Sequence, residues 1–298
     1  MTRFVGDHRD AYGVEPICRV LEIAPSTYYT HAAHQADPAA RPDRWWRDRA
    51  LETEIRRVWD ENKQVYGAKK VWKQLLREGW QVARCTVERL MRRLGLRGVV
   101  RGKPVKTTVS DTALPCPLDR VNRQFQAQRP NALWVSDFTY VSTCQGMVYG
   151  AFVVDVYARR IVGWKASTSM STDFVLDALD QALHARQPEG QLIPHSDRGS
   201  QYLSICYSER LAEAGIEPSV GSVGDSYDNA LAETINGLYK AEVIHRRSWR
   251  NREQVELATL DWVHWYNHKR LLGPIGHVPP AEAEAAYYRQ QDGQAKAA

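Results

Sequence analysis

The chain has 298 residues, 43% of them hydrophobic, and a formal net charge of +5, which is room for two or more domains at roughly 150 residues each. No apolar run approaches the ~20 residues that span a bilayer, and residues 1–8 carry no apolar signal-peptide segment, so the sequence predicts a soluble, cytoplasmic protein without a membrane role. The five cysteines are dispersed with no Cys-x-x-Cys pair, which predicts reduced thiols and argues against a cysteine-based zinc module. His31 and His34 have ligand-like spacing but lack a cysteine pair, so they read as solvated loop.

The charge is unevenly placed. Residues 41–106 hold 19 Lys and Arg against 8 Asp and Glu, a local +11, which leaves −6 for the remainder. A basic segment ahead of a more acidic one suggests a DNA-binding part before a carboxylate-bearing part. A solvated basic helical surface is the plainer reading of charge alone.

In chain order, residues 14–22 predict a short helix with Ile17, Val20 and Leu21 on one face. After a break at 23–25, Ser26 is a candidate N-cap for a helix over 27–34, with Tyr28 and Tyr29 exposed. This is compatible with helix-turn-helix or with a plain helical hairpin. Residues 35–43 read as a linker by composition. Helices follow over about 46–61 and 68–78, the latter with Val71, Trp72, Leu75 and Leu76 inward. Thr86 is a candidate cap for a third, with Val87, Leu90, Met91 and Leu94 inward and Gly95 as its stop. The other face of that helix carries Arg89, Arg92 and Arg93, and Arg97, Arg101, Lys103 and Lys106 follow. Three helices with a basic last one and a basic arm fit a module that enters the major groove and neutralises phosphates.

Prolines at 104, 115, 117 and 130 predict an extended linker. Strands are expected at 132–142, 147–157 and 160–167, then a helix at 172–186, a buried strand at 191–195, a helix at about 202–214 and a short strand at 217–220. A loop over 221–228 leads into a helix bearing Glu233. Three antiparallel strands followed by alternating helices and strands predict a mixed α/β sheet. An aromatic-rich helix at 252–268 and a short Glu-Ala-rich helix complete the chain, with the last ten residues disordered. The expected organisation is a helix-turn-helix-like segment at 1–40, a basic helical DNA-binding domain at 41–106, a linker at 107–130, an α/β core at 131–245 and a C-terminal helical segment and tail at 246–298.

Three acidic residues stand in three different settings: Asp137 in an apolar strand, Asp197 just past a buried strand, and Glu233 on a helix. Fifty-nine residues separate the first two and 35 the last two. Mg²⁺ is a hard ion that prefers oxygen ligands, and two such ions serve phosphodiester displacement. On the Glu233 helix, Asn229 is a candidate cap and Leu231, Ile235 and Leu238 are the expected buried face. Lys240 lies seven residues on, within 20° of two full turns at 100° per residue, so it shares the face of Glu233. Any one acid could be a solvated charge, but Asp137 interrupts Trp134, Val135, Phe138, Tyr140 and Val141, where an unpaired charge is costly. Asp155 has the same property and reads as a structural hydrogen-bonder ahead of a fourth acid. Asp225 and Asp228 read as loop or capping residues, and His195 as structural or substrate-facing.

Trp134-Val-Ser-Asp137-Phe-Thr-Tyr, His195-Ser-Asp197-Arg-Gly-Ser-Gln-Tyr and Asp228-Asn-Ala-Leu-Ala-Glu233, with Lys240 beyond, resemble the acidic triad of the retroviral-integrase-like transposases. Tyr66-Gly67 through Leu94-Gly95-Leu96 is similar to the helix-turn-helix region of the second-frame (OrfB) product of the "IS-three" insertion sequences. Tyr266-Asn267-His268-Lys269-Arg270 and Pro279-Pro280-Ala-Glu282 look like its C-terminal segment. The resemblance covers about residues 12–288.

It implies an RNase H-like core and metal-dependent strand cleavage and transfer at element ends, with water and then a DNA 3′-OH as nucleophile and no covalent protein–DNA intermediate. Asp137, Asp197 and Glu233 would hold Mg²⁺, two ions with Mn²⁺ as substitute. Lys240 would contact DNA, with Arg89, Arg92, Arg93, Arg97 and Lys103 as further contacts from the helical region. The implied partners are double-stranded DNA, further copies of the chain, and a first-frame (OrfA) protein supplying a leucine zipper, since no heptad stretch occurs here. A nuclease without joining activity and a non-catalytic DNA-binding regulator are the two other readings.

Overall fold

The computed structural model describes residues 1–102, 127–188, 191–196, 205–213, 219–220 and 230–297. Most of the expected linker and the loop at 221–228, with Asp225, Asp228 and Asn229, lie outside them.

Three short helices open the chain: α1 (Thr2–Tyr12), α2 (Val14–Val20) and α3 (Pro25–Ala36). They enclose a small core of Val5, Ile17, Cys18 and Tyr28. The sequence reading has no helix before residue 14, because α1 buries a single side chain, Val5. Pro25 begins α3 rather than breaking the chain before a Ser26 cap: at the first helical position its missing N–H would be unpaired anyway. Tyr28 is buried against α1 and α2, not exposed; its neighbour Tyr29 is the exposed one. The expected linker is mostly structured: α3 runs to Ala36, and Asp37 accepts a hydrogen bond from the Ala39 amide (2.9 Å) at a 3₁₀ turn.

Helices α4 (Asp43–Glu61), α5 (Ala68–Arg77) and α6 (Arg84–Arg93) form the next unit. Leu51, Ile55, Val58, Val71, Leu75, Val87, Leu90 and Met91 interlock at helical spacing and are almost fully buried. Leu76, expected inward, is exposed, and Trp72 is held by a hydrogen bond from its indole to the Val82 carbonyl (2.8 Å). α6 starts at Arg84 without a side-chain cap, two residues before Thr86.

Strands β1 (Leu133–Thr143), β2 (Gly146–Asp155) and β3 (Arg160–Ser167) pair antiparallel, while β4 (Ile193–Ser196) and β5 (Ser219–Val220) extend the sheet parallel to β1. The order is β3-β2-β1-β4-β5, an RNase H-like arrangement. Alternation across the strands divides the core. Leu133, Val135, Val141, Phe152 and Val154 join one cluster; Trp134, Ala151, Val153 and Val162 join another with α7 (Thr172–Arg186). Gly163 lets α7 lie against β3: a Cβ there would stand 2.1 Å from the Ala178 carbonyl oxygen. α8 (Ile205–Glu213) adds Leu211 to the α7 side.

The opposite face is covered by α9 (Ala230–Glu242) and α10 (Arg252–His268). The Trp262 ring meets Phe152 edge-on and Tyr239 at a tilt, at centroid distances of 6.1 and 5.3 Å, and those two rings also touch each other. Asn267 fixes α10 to β3 by hydrogen bonds with the Ile161 amide (3.0 Å) and carbonyl (2.8 Å). The last helix, α11 (Pro280–Ala297), continues through residues expected to be disordered; their Ala, Gln, Arg and Lys content is strongly helix-forming. Among the described residues no helix is long and apolar enough to cross a membrane.

Two buried polar groups pin these layers, the first to one another and the second to the helical unit. Glu242, at the end of α9, receives Arg270 Nη2 at 2.5 Å and the Trp262 indole at 3.0 Å, and both partners of the ion pair are buried. The Tyr66 hydroxyl accepts from the Leu271 amide (2.7 Å) and donates to the Lys269 carbonyl (3.2 Å). Glu242→Ala leaves Arg270 buried without its carboxylate, so we expect a loss of about 3–5 kcal/mol in urea unfolding; a loss within 1 kcal/mol, roughly that of an ordinary surface change, would contradict this packing.

Lys70, half-buried over the Tyr66 ring (5.2 Å), is pushed down to about 7 by burial and by the nearby Arg270, with Glu242 opposing. Its unfolded value is about 10.4. Between these pH values the unfolded chain holds a proton that the folded chain has released, so stability rises with pH across the window. Lys70→Met should remove that rise, read by urea unfolding at neutral pH and at about pH 9; an unchanged slope would exclude Lys70 as its source.

Candidate active site

Asp137 lies in the middle of β1, opposite Phe152 of β2, on the strand face that α9 covers. A carboxylate there needs partners, since a buried unpaired charge is costly. Asn236 of α9 supplies one: its amide nitrogen donates to Asp137 Oδ2 at 2.8 Å, and the Phe138 backbone amide donates to Oδ1 at 2.8 Å. The contact fixes both the carboxylate and the height of α9 over the sheet.

Glu233 is three residues before Asn236 and exposed. Residues three apart on a helix are neighbours, about 5–6 Å between Cβ atoms, so Glu233 stands one turn from the residue that holds Asp137. The helix is anchored by Leu231, Ala232, Ile235 and Tyr239, with Leu238 only partly buried. The expected stripe named Leu238 and omitted Tyr239, whose ring packs against Phe152 and Trp262. Further along α9, the Lys240 ammonium lies 4.6 Å from the Tyr140 ring centroid. Arg101, in the arm after α6, reaches the same helix and approaches the Thr234 carbonyl at 3.5 Å, beside Gly237.

Asp197 lies outside the described residues. The chain enters it from Ser196, whose register partner in β1 is Ser136, the residue before Asp137. His195 is buried and pairs with Val135 in the same register. Asp155 is fully buried and accepts from the Tyr157 (3.0 Å) and Ala158 (3.4 Å) amides and from the Asn131 amide, the structural role expected of it. Burial pushes its carboxyl up, against the amide donors, which hold it down. Among the described residues no three His, Cys, Asp or Glu side chains are grouped for a metal ion.

The basic face of α6 divides. Arg89 donates to both Asp48 oxygens of α4 (2.8 and 2.9 Å), and Arg93 to Glu52 (2.6 Å). Arg92 and Arg97 are exposed and make no salt bridge among the described residues. Lys103 lies outside them. Sequence reasoning missed Asn236, and it named Arg101 only as part of the basic arm, without its contact to α9. Asn236 had a signal, being polar on the inward side of an apolar helix three residues after a candidate ligand; Arg101 had none, because its contact spans 133 residues.

Three family models match the chain: an HTH-like domain over residues 45–104 and two integrase core domains, over 127–226 and 214–280. The chain is 63% identical over 280 residues to a transposase for insertion sequence element IS629 from Shigella sonnei, covering 94% of each protein. It is 57% identical over 277 residues to a putative transposase for IS986/IS6110 from Mycobacterium tuberculosis, covering 91% of this chain and 98% of that one. The integrase catalytic core of HTLV-2, solved in complex with magnesium, superposes loosely, with a TM-score of 0.42 and 16% identity over 53% of this chain and 99% of that chain. With an integrase core behind an HTH-like domain and this identity along nearly its whole length, the chain belongs to the family of insertion-sequence transposases.

Proposed function

We propose that the chain cuts DNA at the ends of its insertion sequence and joins the freed 3′-OH to another strand, using Asp137, Asp197 and Glu233. The observation that carries this reading is the hydrogen bond from Asn236 to Asp137. It holds the helix of Glu233 against the strand of Asp137, and β4, whose last residue Ser196 directly precedes Asp197 in the sequence, pairs with that same strand.

The donor set suits Mg²⁺, with Mn²⁺ as substitute: three carboxylates offer only oxygen, and such an ion takes a few carboxylates plus substrate phosphate. The Asn236 amide oxygen is also buried, with no hydrogen-bond partner among the described residues. Two ions bound there would supply Lewis-acid polarisation of the attacking and leaving oxygens. The chain's own groups do the rest. Asn236 orients Asp137, and α9 presents Glu233 and Lys240 along one edge. Lys240 gives a cation to the phosphate next to the cut.

In the first step a water oxygen bonds to phosphorus and the bond to the 3′ oxygen breaks, leaving a 3′-OH and a 5′-phosphate. In the second, the 3′-OH oxygen bonds to a target phosphorus and displaces that strand's own 3′ oxygen. One phosphorus–oxygen bond forms and one breaks in each step, and no protein–DNA bond is needed.

On the same reading, residues 41–106 bind double-stranded DNA, with Arg92, Arg97 and Lys103 as contacts. Arg89 and Arg93, partly exposed, add positive potential. Residues 1–40 are a second helix-turn-helix-like segment, 107–130 a linker, 131–245 the catalytic core and 246–298 its C-terminal support. A second copy of the chain and a first-frame OrfA protein are the proposed protein partners.

Asp137→Asn and Glu233→Gln should each lower cleavage of end-bearing DNA in Mg²⁺ by roughly a thousandfold while DNA binding persists. Full cleavage by Glu233→Gln would sink the catalytic assignment. Asn236→Ala should cost about 10- to 100-fold in rate, the usual effect of losing a group that orients a ligand; a wild-type rate would separate that hydrogen bond from the chemistry.

A further inference from the structure

The ion pairs between α4 and α6 sort the charged residues of α6 by what they face. Asp48 and Glu52, four apart on α4, are buried carboxylates, and Arg89 and Arg93, four apart on α6, answer them. Those two arginines are therefore bound to interhelical work. At 100° per residue, Val87, Leu90, Met91 and Leu94 occupy the core side of α6, and Arg89 and Arg93 the flank towards α4. What remains is one arc of about 100° carrying Arg84, Cys85, Glu88 and Arg92. Arg84, Cys85 and Arg92 are exposed and Glu88 is partly so.

We infer that this arc, and not the Arg89–Arg93 flank, is the surface that reads the ends of the element, with Arg84 and Glu88 contacting base edges and Arg92 a phosphate. The inference rests on the reading of the chain as a DNA-acting transposase and names the sequence-reading residues within it. Arg84 is the first residue of α6, where a recognition helix inserts into the major groove. Glu88 follows one turn later and Arg92 two turns later, at a rise of about 6 Å each. Donor, acceptor and donor thus stand in line along the helix. Arginine matches the two acceptors of a guanine edge, and glutamate accepts from the cytosine amino group. Arg84 and Glu88 are 2.7 Å apart in the protein alone. Such an exposed pair is worth little by itself, so it can open to meet base edges. Arg92 makes no salt bridge among the described residues.

The test uses the full chain and a labelled duplex from each end of the element that encodes it, against a scrambled duplex of equal composition. Binding is read by fluorescence anisotropy at fixed salt. Arg84→Ala and Glu88→Ala should each lower the preference for the end duplex by about 5- to 150-fold, the worth of one good base contact. Both sites are at the surface, and an unchanged circular dichroism spectrum and melting temperature confirm folding. Arg92→Ala should weaken both duplexes alike and flatten the salt dependence. Arg89→Gln should lower the melting temperature while the preference of the folded protein stays.

An unchanged preference in both Arg84→Ala and Glu88→Ala, or its loss in folded Arg89→Gln, would overturn the inference. A wild-type chain that binds both duplexes equally would overturn it too. Cleavage is assayed separately with Asp137→Asn, so failure here leaves the catalytic reading standing, and failure there leaves the binding result intact.

Discussion

A carboxylate placed mid-strand under a packed helix has to be answered, and Asn236 answers Asp137. The placement of α9 is then determined at two points. At its middle, the amide of Asn236 reaches down to β1. At its end, Glu242 is locked to Arg270 and Trp262. Ile235 and Tyr239 fill the space over β1 and β2, and Trp262 closes it from α10. Glu233, exposed on α9, inherits its position from this frame. The contact that answers a charge in the sheet also sets the height of α9 over β1.

The helical unit follows the same logic with opposite charge. Its excess of basic residues looks uniform in composition but is divided in space. Part of it neutralises Asp48 and Glu52 and so holds α4 to α6, and the guanidinium of Arg89 draws the Asp48 carboxyl below its usual range. The other part faces outward. The unit is joined to the rest of the chain by contacts that include Tyr66 on the segment after α10, Trp265 donating to Asn62 (3.3 Å), the ion pairs of Lys63 with Asp261 and of Arg77 with Glu282, and Arg101 on α9. The last of these brings the arm that follows the HTH-like helices onto the helix of Glu233.

Much of this was readable from the residues. The expected bounds of β1, β2 and β3 hold within one or two residues, and those of α5, α7 and α10 within one. The isolation of Asp137 and Asp155 among apolar neighbours marked both as special, and the structure separates them: Asp155 spends its oxygens on backbone amides at a strand end, while Asp137 faces a side chain from another layer. What was not readable depended on tertiary partners. Nothing local says that Arg89 and Arg93 meet acids 41 residues earlier, or that Tyr28 rather than Tyr29 turns inward. α1 escaped notice because one buried valine leaves no periodic signal. The Ser26 and Thr86 caps failed because both helices start earlier, one on a proline suited to the first turn.

The central claim is that Asp137, Asp197 and Glu233 hold one metal centre at the DNA. Its most direct measurement is a crystal structure of the full chain on end-bearing DNA soaked with Mn²⁺, with the ion located by anomalous scattering. The account predicts metal bonded to oxygens of all three carboxylates, with a DNA phosphate completing the shell and Lys240 beside it. Metal bound elsewhere, or a phosphate far from Asp137 and Glu233, would contradict it.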